Sequence, residues 1–346
     1  MPMLKIGIIT DPNTPPSVRF YRTTGVFHYL TKLSGGRFQV EEVDNRRVLQ
    51  DETAAFRFDA CLVERPISTS ALSIITHLKN MGVAVWLDYD DNLLDIPDYN
   101  TAQDYFHVQD NANVVQQCLA MADIVTCATE YLTKLYKGIN RNTVTIPNAW
   151  NDFRFAPLAK PEGTHRPIRM AWRGANKHDG DLYAVRGTLA PALQDPAYQW
   201  AFFGYRPHYL GVKRSQYVPF SGLATYFRTF FTAGIDYLFV PLEVNNFNRA
   251  KSNISWIEAT IAGAVTIAPA ALPEFNRPGL IRYKDNRHLK DIFARIKAGK
   301  YDKAERVQAS REDLRENYAL SQVNALRAGV MAKLFGMEVG EKSKQE

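Results

Sequence analysis

Residues 237–269 read YLFVPLEVNNFNRAKSNISWIEATIAGAVTIAP, and the fold follows from how that stretch divides. Tyr237–Pro241 is apolar and short enough for a buried strand. Asn245–Ser252 is polar, carries two basic residues and offers no core position, so it reads as a loop. Ile254, Ile257 and Ile261 then recur at helical spacing. Gly263 stops that helix, and Ala264–Ala268 reads as the next buried strand. The order is strand, polar loop, helix, glycine, strand. A polar loop leading from a parallel strand's carboxyl end into a helix amino terminus is where open α/β sheets take up anions and ligands. Glu258 adds to this, because it shares a side of the helix with Ile254 and Ile261, where a carboxylate is costly unless paired. Two readings stay open for it. One is a rim position or a salt bridge to the body; the other is an acceptor for ligand hydroxyls, with Lys251 and Ser252 near phosphates about two turns earlier.

Outward from this stretch the alternation continues in both directions. Toward the amino end, Leu4–Thr10, Phe38–Val43, Phe58–Val63, Val83–Leu87, Ile124–Cys127 and Val144–Ile146 read as strands. Helices are expected over Val18–Leu33, Ser70–Met81, Asn111–Met121 and Thr129–Tyr136. Pro157–Pro167 is polar with three prolines and a glycine, and reads as an interdomain linker. The pattern then restarts. Ile168–Trp172, Trp200–Phe203, Val218–Phe220 and Leu280–Tyr283 are expected strands. A helix through Leu193 follows the loop Arg173–Asp181, and Leu223–Thr232, His288–Ala298, Ala304–Asn317 and Ser321–Leu334 are expected helices. This is an α/β protein of two doubly wound, Rossmann-like domains, expected to face each other across a cleft. The expected boundaries are 1–160, 166–310 and a helical segment 311–336 bracing the two domains, with a frayed polar tail beyond. The polar loops 11–22, 88–91, 173–181, 204–208 and 245–252 all fall at strand ends.

Composition narrows the function classes. With 346 residues the chain is long enough for two domains, and 46% hydrophobic residues suit buried cores. There is no apolar run long enough to span a membrane and no secretory-type leader, so a cytoplasmic location is expected. Cys61, Cys118 and Cys127 are scattered, which fits a reducing compartment and gives no zinc spacing. A net charge of +6 permits an anionic substrate, a nucleic acid or an acidic membrane surface, and does not choose among them.

Three further constellations carry chemistry. Asp88-Tyr89-Asp90-Asp91 ends a strand, and alternation along an extended segment would let Asp88 and Asp90 converge. Metal binding, hydrogen bonding to an acceptor and helix capping all remain open there. Arg173, Lys177, His178, Asp179 and Asp181 follow the first strand of the second domain, where cations would sit on a diphosphate and stabilise its charge on leaving. The alternative is a solvated loop with Asp179 or Asp181 capping the next helix. Arg19, Tyr21, Arg22 and His28 lie on the first helix, either facing the cleft or as a solvated basic side. There is no GxSxG, Walker A loop, HExxH or early GxGxxG.

Taken together, SVRFYRTTGVFHYL (17–30), VWLDYDDNLLDIP (85–97), ADIVTCATEYLTKLY (122–136), VTIPNAWNDFRF (144–155), IRMAWRGANKHDGDL (168–182) and FVPLEVNNFNRAKSNISWIEATIAGAVTIAP (239–269) resemble the retaining GT-B-fold glycosyltransferases of family 4, or group 1. The resemblance is nearest to a branch common in phage and bacterial polysaccharide clusters. It implies transfer of a sugar from a UDP- or GDP-sugar co-substrate, with no tightly bound cofactor and no metal site. It implies that Glu258 meets the nucleotide ribose and that Lys251 and Ser252 meet the diphosphate, together with Arg173 and Lys177. The acidic residue that the family places eight positions before Glu258 falls here on Ala250. Groups around Asn246, Asn248 and Arg249, with Glu243 upstream, take over the sugar in this reading. Arg19, Tyr21, Arg22, Asp88, Asp90, Asp91 and His178 are assigned to the acceptor side. The acceptor class stays open among a glycan, a lipid-linked molecule and a nucleic acid, with membrane or DNA contact through the basic surface. Location would be the bacterial cytoplasm, or the host's for a phage-encoded chain. Two alternatives stand beside this reading: glycosylation of a hydroxylated DNA base, and non-catalytic nucleotide-sugar binding.

Overall fold

In the computed structural model, which describes residues 3–33, 36–55, 57–155, 164–211 and 215–335, the alternation closes into two wholly parallel sheets of six strands. Most of the expected linker 157–167 and the polar tail lie outside the described residues. Two compact units result. One takes the chain through Asp91, then Asp110–Asn151 and the part from Ala319; the other takes Asn92–Gln109 and Asp152–Tyr318.

The first unit's strands are β1 (Leu4–Thr10), β2 (Phe38–Asp44), β3 (Ala60–Glu64), β4 (Ala84–Tyr89), β5 (Ile124–Cys127) and β6 (Thr143–Thr145), in the order β2-β1-β3-β4-β5-β6. The chain moves one way from β1 to β2 and the other way from β3 onward, so the topology switches between β1 and β3. Helices α1 (Pro16–Arg22), α2 (Thr24–Leu33), α3 (Asn45–Gln50), α4 (Thr69–Asn80), α5 (Asn111–Met121) and α6 (Glu130–Lys137) connect them. The single helix expected over 18–33 is two. Thr23 leaves helical geometry (φ −125°, ψ −103°), and Gly25 packs so closely on the first helix that a Cβ would sit 2.3 Å from the Phe20 carbonyl oxygen. The break lets the Thr23 hydroxyl donate to Glu64 while Arg22 reaches Asp88.

The second unit holds β7 (Ile168–Gly174), β8 (Tyr198–Gly204), β9 (Gln216–Pro219), β10 (Tyr237–Phe239), β11 (Val265–Pro269) and β12 (Ile281–Tyr283), in the order β12-β11-β10-β7-β8-β9. Its switch lies between β7 and β10. Around it pack α7 (Asp179–Ala184), α8 (Arg186–Gln194), α9 (Leu223–Phe231), the one-turn α10 (Asn246–Arg249), α11 (Ile254–Ile261), α12 (Asn286–Lys297) and α13 (Lys303–Asn317). The helix expected through Leu193 is the pair α7–α8. The core joins Trp172, Trp200, Phe202, Phe239 and Phe293 across sheet and helices. A last helix, α14 (Leu320–Leu334), belongs to the first unit. There Leu320, Val323, Val330 and Met331 pack with Phe27, Leu30 and Trp86, and the Asn324 amide donates to the Val26 carbonyl at 3.0 Å. Among the described residues, no helix is long and apolar enough to cross a membrane.

Candidate functional site

The second unit's site is assembled at the carboxyl ends of its two switch-point strands. β7 ends in Arg173-Gly174, and β10 runs out into the loop that begins at Val240. That loop is not wholly polar and exposed as its composition suggests. Asn245 caps α10 by accepting from the Asn248 backbone N–H at 2.8 Å, and the turn so formed tucks Phe247, Asn248 and Ala250 inside. The Ala250 methyl is fully buried, so a carboxylate at that position would need a partner that the methyl does not. Lys251 stands over the Phe247 ring, its Nζ 4.3 Å from the centroid. Ser252 follows, and Asn253 opens α11.

Helix α11 is buried on more than one stripe. Trp256, Ile257, Ala259 and Thr260 are all inside, and so is Glu258, 2% exposed. Its carboxylate is met from two other elements. Arg173 Nε, on the end of β7, lies 2.8 Å from Glu258 Oε2, and the Tyr226 hydroxyl on α9 donates to the same oxygen at 2.6 Å. Tyr226 is pushed well above the usual phenol range, by burial first and by the Glu258 charge, with the Arg173 guanidinium opposing. Both readings left open for Glu258 thus bear on one structure. It is salt-bridged to the body, and it stands at the switch point one turn into a helix that follows Lys251 and Ser252.

The β7–α7 loop completes this side. Lys177 and His178 lie on a single 3-10 turn, Asn176–His178. His178 Nδ1 is 2.9 Å from Asp181 Oδ2, and Asp181 is buried. Burial holds the His178 imidazole below its ordinary pKa, with Lys251 and Lys177 acting in the same direction and Asp181 opposing. The ring is therefore neutral near pH 7. Of the loop residues 246–249, Asn246 is exposed and bonded to Asp95, Asn248 is buried, and Arg249 is half-buried at the end of α10.

In the first unit the expected residues divide into two groups. Arg22 is buried and holds Asp88 with both ends of its guanidinium, Nε to Oδ1 and Nη2 to Oδ2, each at 2.8 Å. Its Nη1 donates to the Ile146 carbonyl at 2.6 Å and to Asn148 Oδ1 at 3.2 Å. Thr126 donates to Asp88 at 2.5 Å, and Tyr21 is buried nearby on α1. Arg22 and Asp88 therefore clamp strand ends to α1 from inside. Asp88 and Asp90 do not converge on one point as expected. Asp90 and Asp91 turn to Arg65, at 3.4 and 3.3 Å, a residue held in the left-handed region (φ 42°) just past β3. Burial raises the Asp90 pKa against the pull of Arg65. Arg19 is the more exposed member, with its Nε 3.5 Å from Glu64 Oε2. Among the described residues, no group of three or more His, Cys, Asp or Glu side chains is arranged to hold a metal ion.

Sequence reasoning missed four residues. Glu64 and Arg65 end β3, beside the first unit's switch, and charged residues closing a buried apolar strand were the signal available for them. Tyr99, in a stretch assigned no role, hydrogen-bonds Asp181 at 2.9 Å. Phe220, just past β9 and 68% exposed, lies against Gly204, where a Cβ would come within 2.8 Å of its ring.

No protein-family profile and no curated protein sequence matches the chain. Solved structures do. The HepE protein of Anabaena, in complex with UDP and glucose, matches with a TM-score of 0.68 at 11% identity over 95% of this chain and 100% of its own. The sucrose-phosphate synthase of Thermosynechococcus elongatus matches at 0.69 with 12% identity, over 96% and 99%. An alpha-glucosyltransferase in complex with UDP and a 13-mer DNA containing an HMU base matches at 0.64 with 10% identity, over 96% and 100%. The fold is that of these two-domain GT-B structures.

Proposed function

We propose that the chain is a glycosyltransferase that binds a nucleotide-diphosphate sugar in the second unit and passes the sugar to an acceptor hydroxyl. One observation carries the reading: the Arg173–Glu258–Tyr226 set at the switch of β7 and β10, one turn into the helix that Lys251 and Ser252 introduce. Glu258, an acceptor-only carboxylate already fixed by two partners, suits the ribose hydroxyls. Arg173, Lys177, Lys251 and the amino end of α11 suit the diphosphate. In the reaction the bond from the anomeric carbon to the phosphate oxygen breaks and its electron pair goes to the diphosphate. The acceptor oxygen bonds to the anomeric carbon, and its proton passes to the departing phosphate oxygen. The cations stabilise that charge as it forms. Transfer with retention and membership of family 4 are the finer form of this reading, supported by the motif order in the sequence. The UDP bound in the fold's neighbours supports a UDP-sugar first and a GDP-sugar second. Asn246, Asn248, Arg249 and Ser252 line the donor side in this reading. Arg19, Asp90, Asp91 and His178 are offered to the acceptor side, with Tyr21, Arg22 and Asp88 supporting them from within.

Binding and turnover of UDP-glucose and a GDP-sugar test the proposal, with Glu258→Gln as the control. The expected result is nucleotide binding in the wild type that falls by about tenfold or more in the variant, since ribose hydroxyls lose a charged acceptor. Equal binding in both would remove the donor site from this position. A hydroxylated DNA base is a second acceptor reading, motivated by the net charge of +6 and by the DNA in one neighbour's complex. It requires duplex binding that weakens steeply with salt, and no binding at low salt would end it.

A further inference from the structure

Asp181 is a buried carboxylate, 1% exposed, on which three separate stretches of the second unit meet. Its Oδ1 accepts from the Tyr99 hydroxyl at 2.9 Å, the Asn248 side-chain amide at 2.9 Å and the Glu243 backbone N–H at 2.8 Å. Its Oδ2 lies 2.9 Å from His178 Nδ1. An ionised carboxylate only accepts, so His178 Nδ1 carries the hydrogen and Nε2 is left as the ring's acceptor. Tyr99 comes from Asn92–Gln109, the stretch that follows the DYDD strand end in the chain and groups with the second unit. Its hydroxyl also accepts from the Asn245 and Asn248 amides, both at 3.1 Å. From the same stretch, Asp95 accepts from the Asn246 amide at 2.9 Å. The Tyr99 ring lies flat enough on Gly180 that a Cβ there would sit 2.4 Å from the ring carbon Cγ.

We propose that Tyr99 is a positioning residue for the donor sugar: through Asp181, Asn245 and Asn248 it holds the loop 243–250 and the tautomer of His178 in place. This rests on the donor-site reading above, in which that loop meets the sugar. The two halves of the site have separate supports. Glu258, Lys251 and Ser252 belong to α11 and its approach, which Arg173 and Tyr226 hold. The loop 243–248 is held by Tyr99 and Asp181. Loosening Tyr99 therefore weakens recognition of the sugar and leaves recognition of the nucleotide alone. That selectivity separates positioning from general structural support.

Two variants probe it. Tyr99→Phe keeps the ring on Gly180 and removes the hydroxyl. Gly180→Ala keeps every polar group and pushes the ring away, and alanine is well accommodated in α7 by propensity. Calorimetry with UDP-glucose and with UDP, on the full chain, gives the ratio. Each variant is expected to weaken UDP-glucose by about fivefold to tenfold and to leave UDP within about twofold, the range of one lost hydrogen bond. The 15N shifts of His178 provide a ligand-free readout. Asp181→Asn is expected to move the ring from the Nδ1–H tautomer toward the other. Equal changes for UDP and UDP-glucose, or none, while Glu258→Gln still abolishes UDP binding, would overturn the role of Tyr99 and leave the donor site standing. UDP binding that survives Glu258→Gln would overturn the donor site and this role with it. If Tyr99→Phe unfolds the chain, Gly180→Ala reads the same ratio.

Discussion

Two buried carboxylates at strand-end switch points, Glu258 and Glu64, meet the same problem in different ways. Glu258 has a cation, Arg173, at 2.8 Å and a phenol, Tyr226, at 2.6 Å. Glu64 has the Thr23 hydroxyl on Oε1 and only a 3.5 Å approach from Arg19 on Oε2. Desolvation therefore dominates at Glu64 and raises its pKa from 4.5 to about 7, with Thr23 and Arg19 pulling down and Asp88 adding to the rise. Because the folded-state pKa is raised, folding favours the protonated form. That contribution to stability is complete below about pH 4.5 and is lost as pH rises through about 7. Urea unfolding at pH 5 and pH 8 should show wild-type stability falling relative to Glu64→Gln across that window. An identical pH dependence in the two proteins would show Glu64 ionised throughout. At the donor side, Lys251→Ala should lower kcat by about tenfold to a hundredfold with a smaller change in donor affinity, because its charge matters most as the diphosphate leaves. Steady-state kinetics against direct binding checks the split. Lys251 and Glu258 could be singled out from spacing alone. That Glu258 is clamped by Arg173 and Tyr226 could not, since those partners lie 85 and 32 residues away in the chain.

At the scale of elements, the sheet ends are shaped by where side chains are left out. Gly174, Gly204 and Pro219 form one rung across β7, β8 and β9. Gly204 is in the left-handed region (φ 93°), and a Cβ on it would lie 2.6 Å from the Gly174 carbonyl oxygen. Gly204→Ala should therefore cost about 1–3 kcal/mol and displace the exposed Phe220 ring, which a thermal melt and the variant's fluorescence or crystal structure would report. An unchanged melt would show that the rung can relax. Most elements here were legible, since apolar runs and helical spacing mark β7, α11 and β11 with boundaries near those observed. The misreadings have local causes. The polar composition of 245–252 hid α10, because Phe247 and Ala250 are only two apolar residues and make no periodic pattern. The helix expected over 18–33 broke at Thr23 because Glu64, on a distant strand, draws its hydroxyl, and no local signal announces that.

Over the whole molecule, neither unit is continuous in sequence. Helix α14 closes the first unit, and Asn92–Gln109 belongs to the second although both its neighbours belong to the first. Ending the chain after Tyr318 should thus unfold the first unit while leaving its six strands in the sequence, because Phe27, Leu30 and Trp86 lose their cover of Leu320, Val323 and Met331. Met331→Ala is the milder form and should cost about 2–5 kcal/mol. Limited proteolysis and a melt distinguish these outcomes from a dispensable tail. If cations of the chain carry the leaving charge, as proposed, turnover of UDP-glucose should persist in excess chelator, and loss of turnover that a divalent cation restores would refute it. The sequence by itself determined the alternation of strand and helix, the parallel α/β class and the placing of polar loops at strand ends, because those depend on spacing among near neighbours. Only the tertiary structure decided that Arg173 meets Glu258, that Arg22 meets Asp88 and that Tyr99 meets Asp181. A buried charge must find its partner wherever the fold brings one within about 3 Å, and that distance is set by the packing of whole sheets and helices.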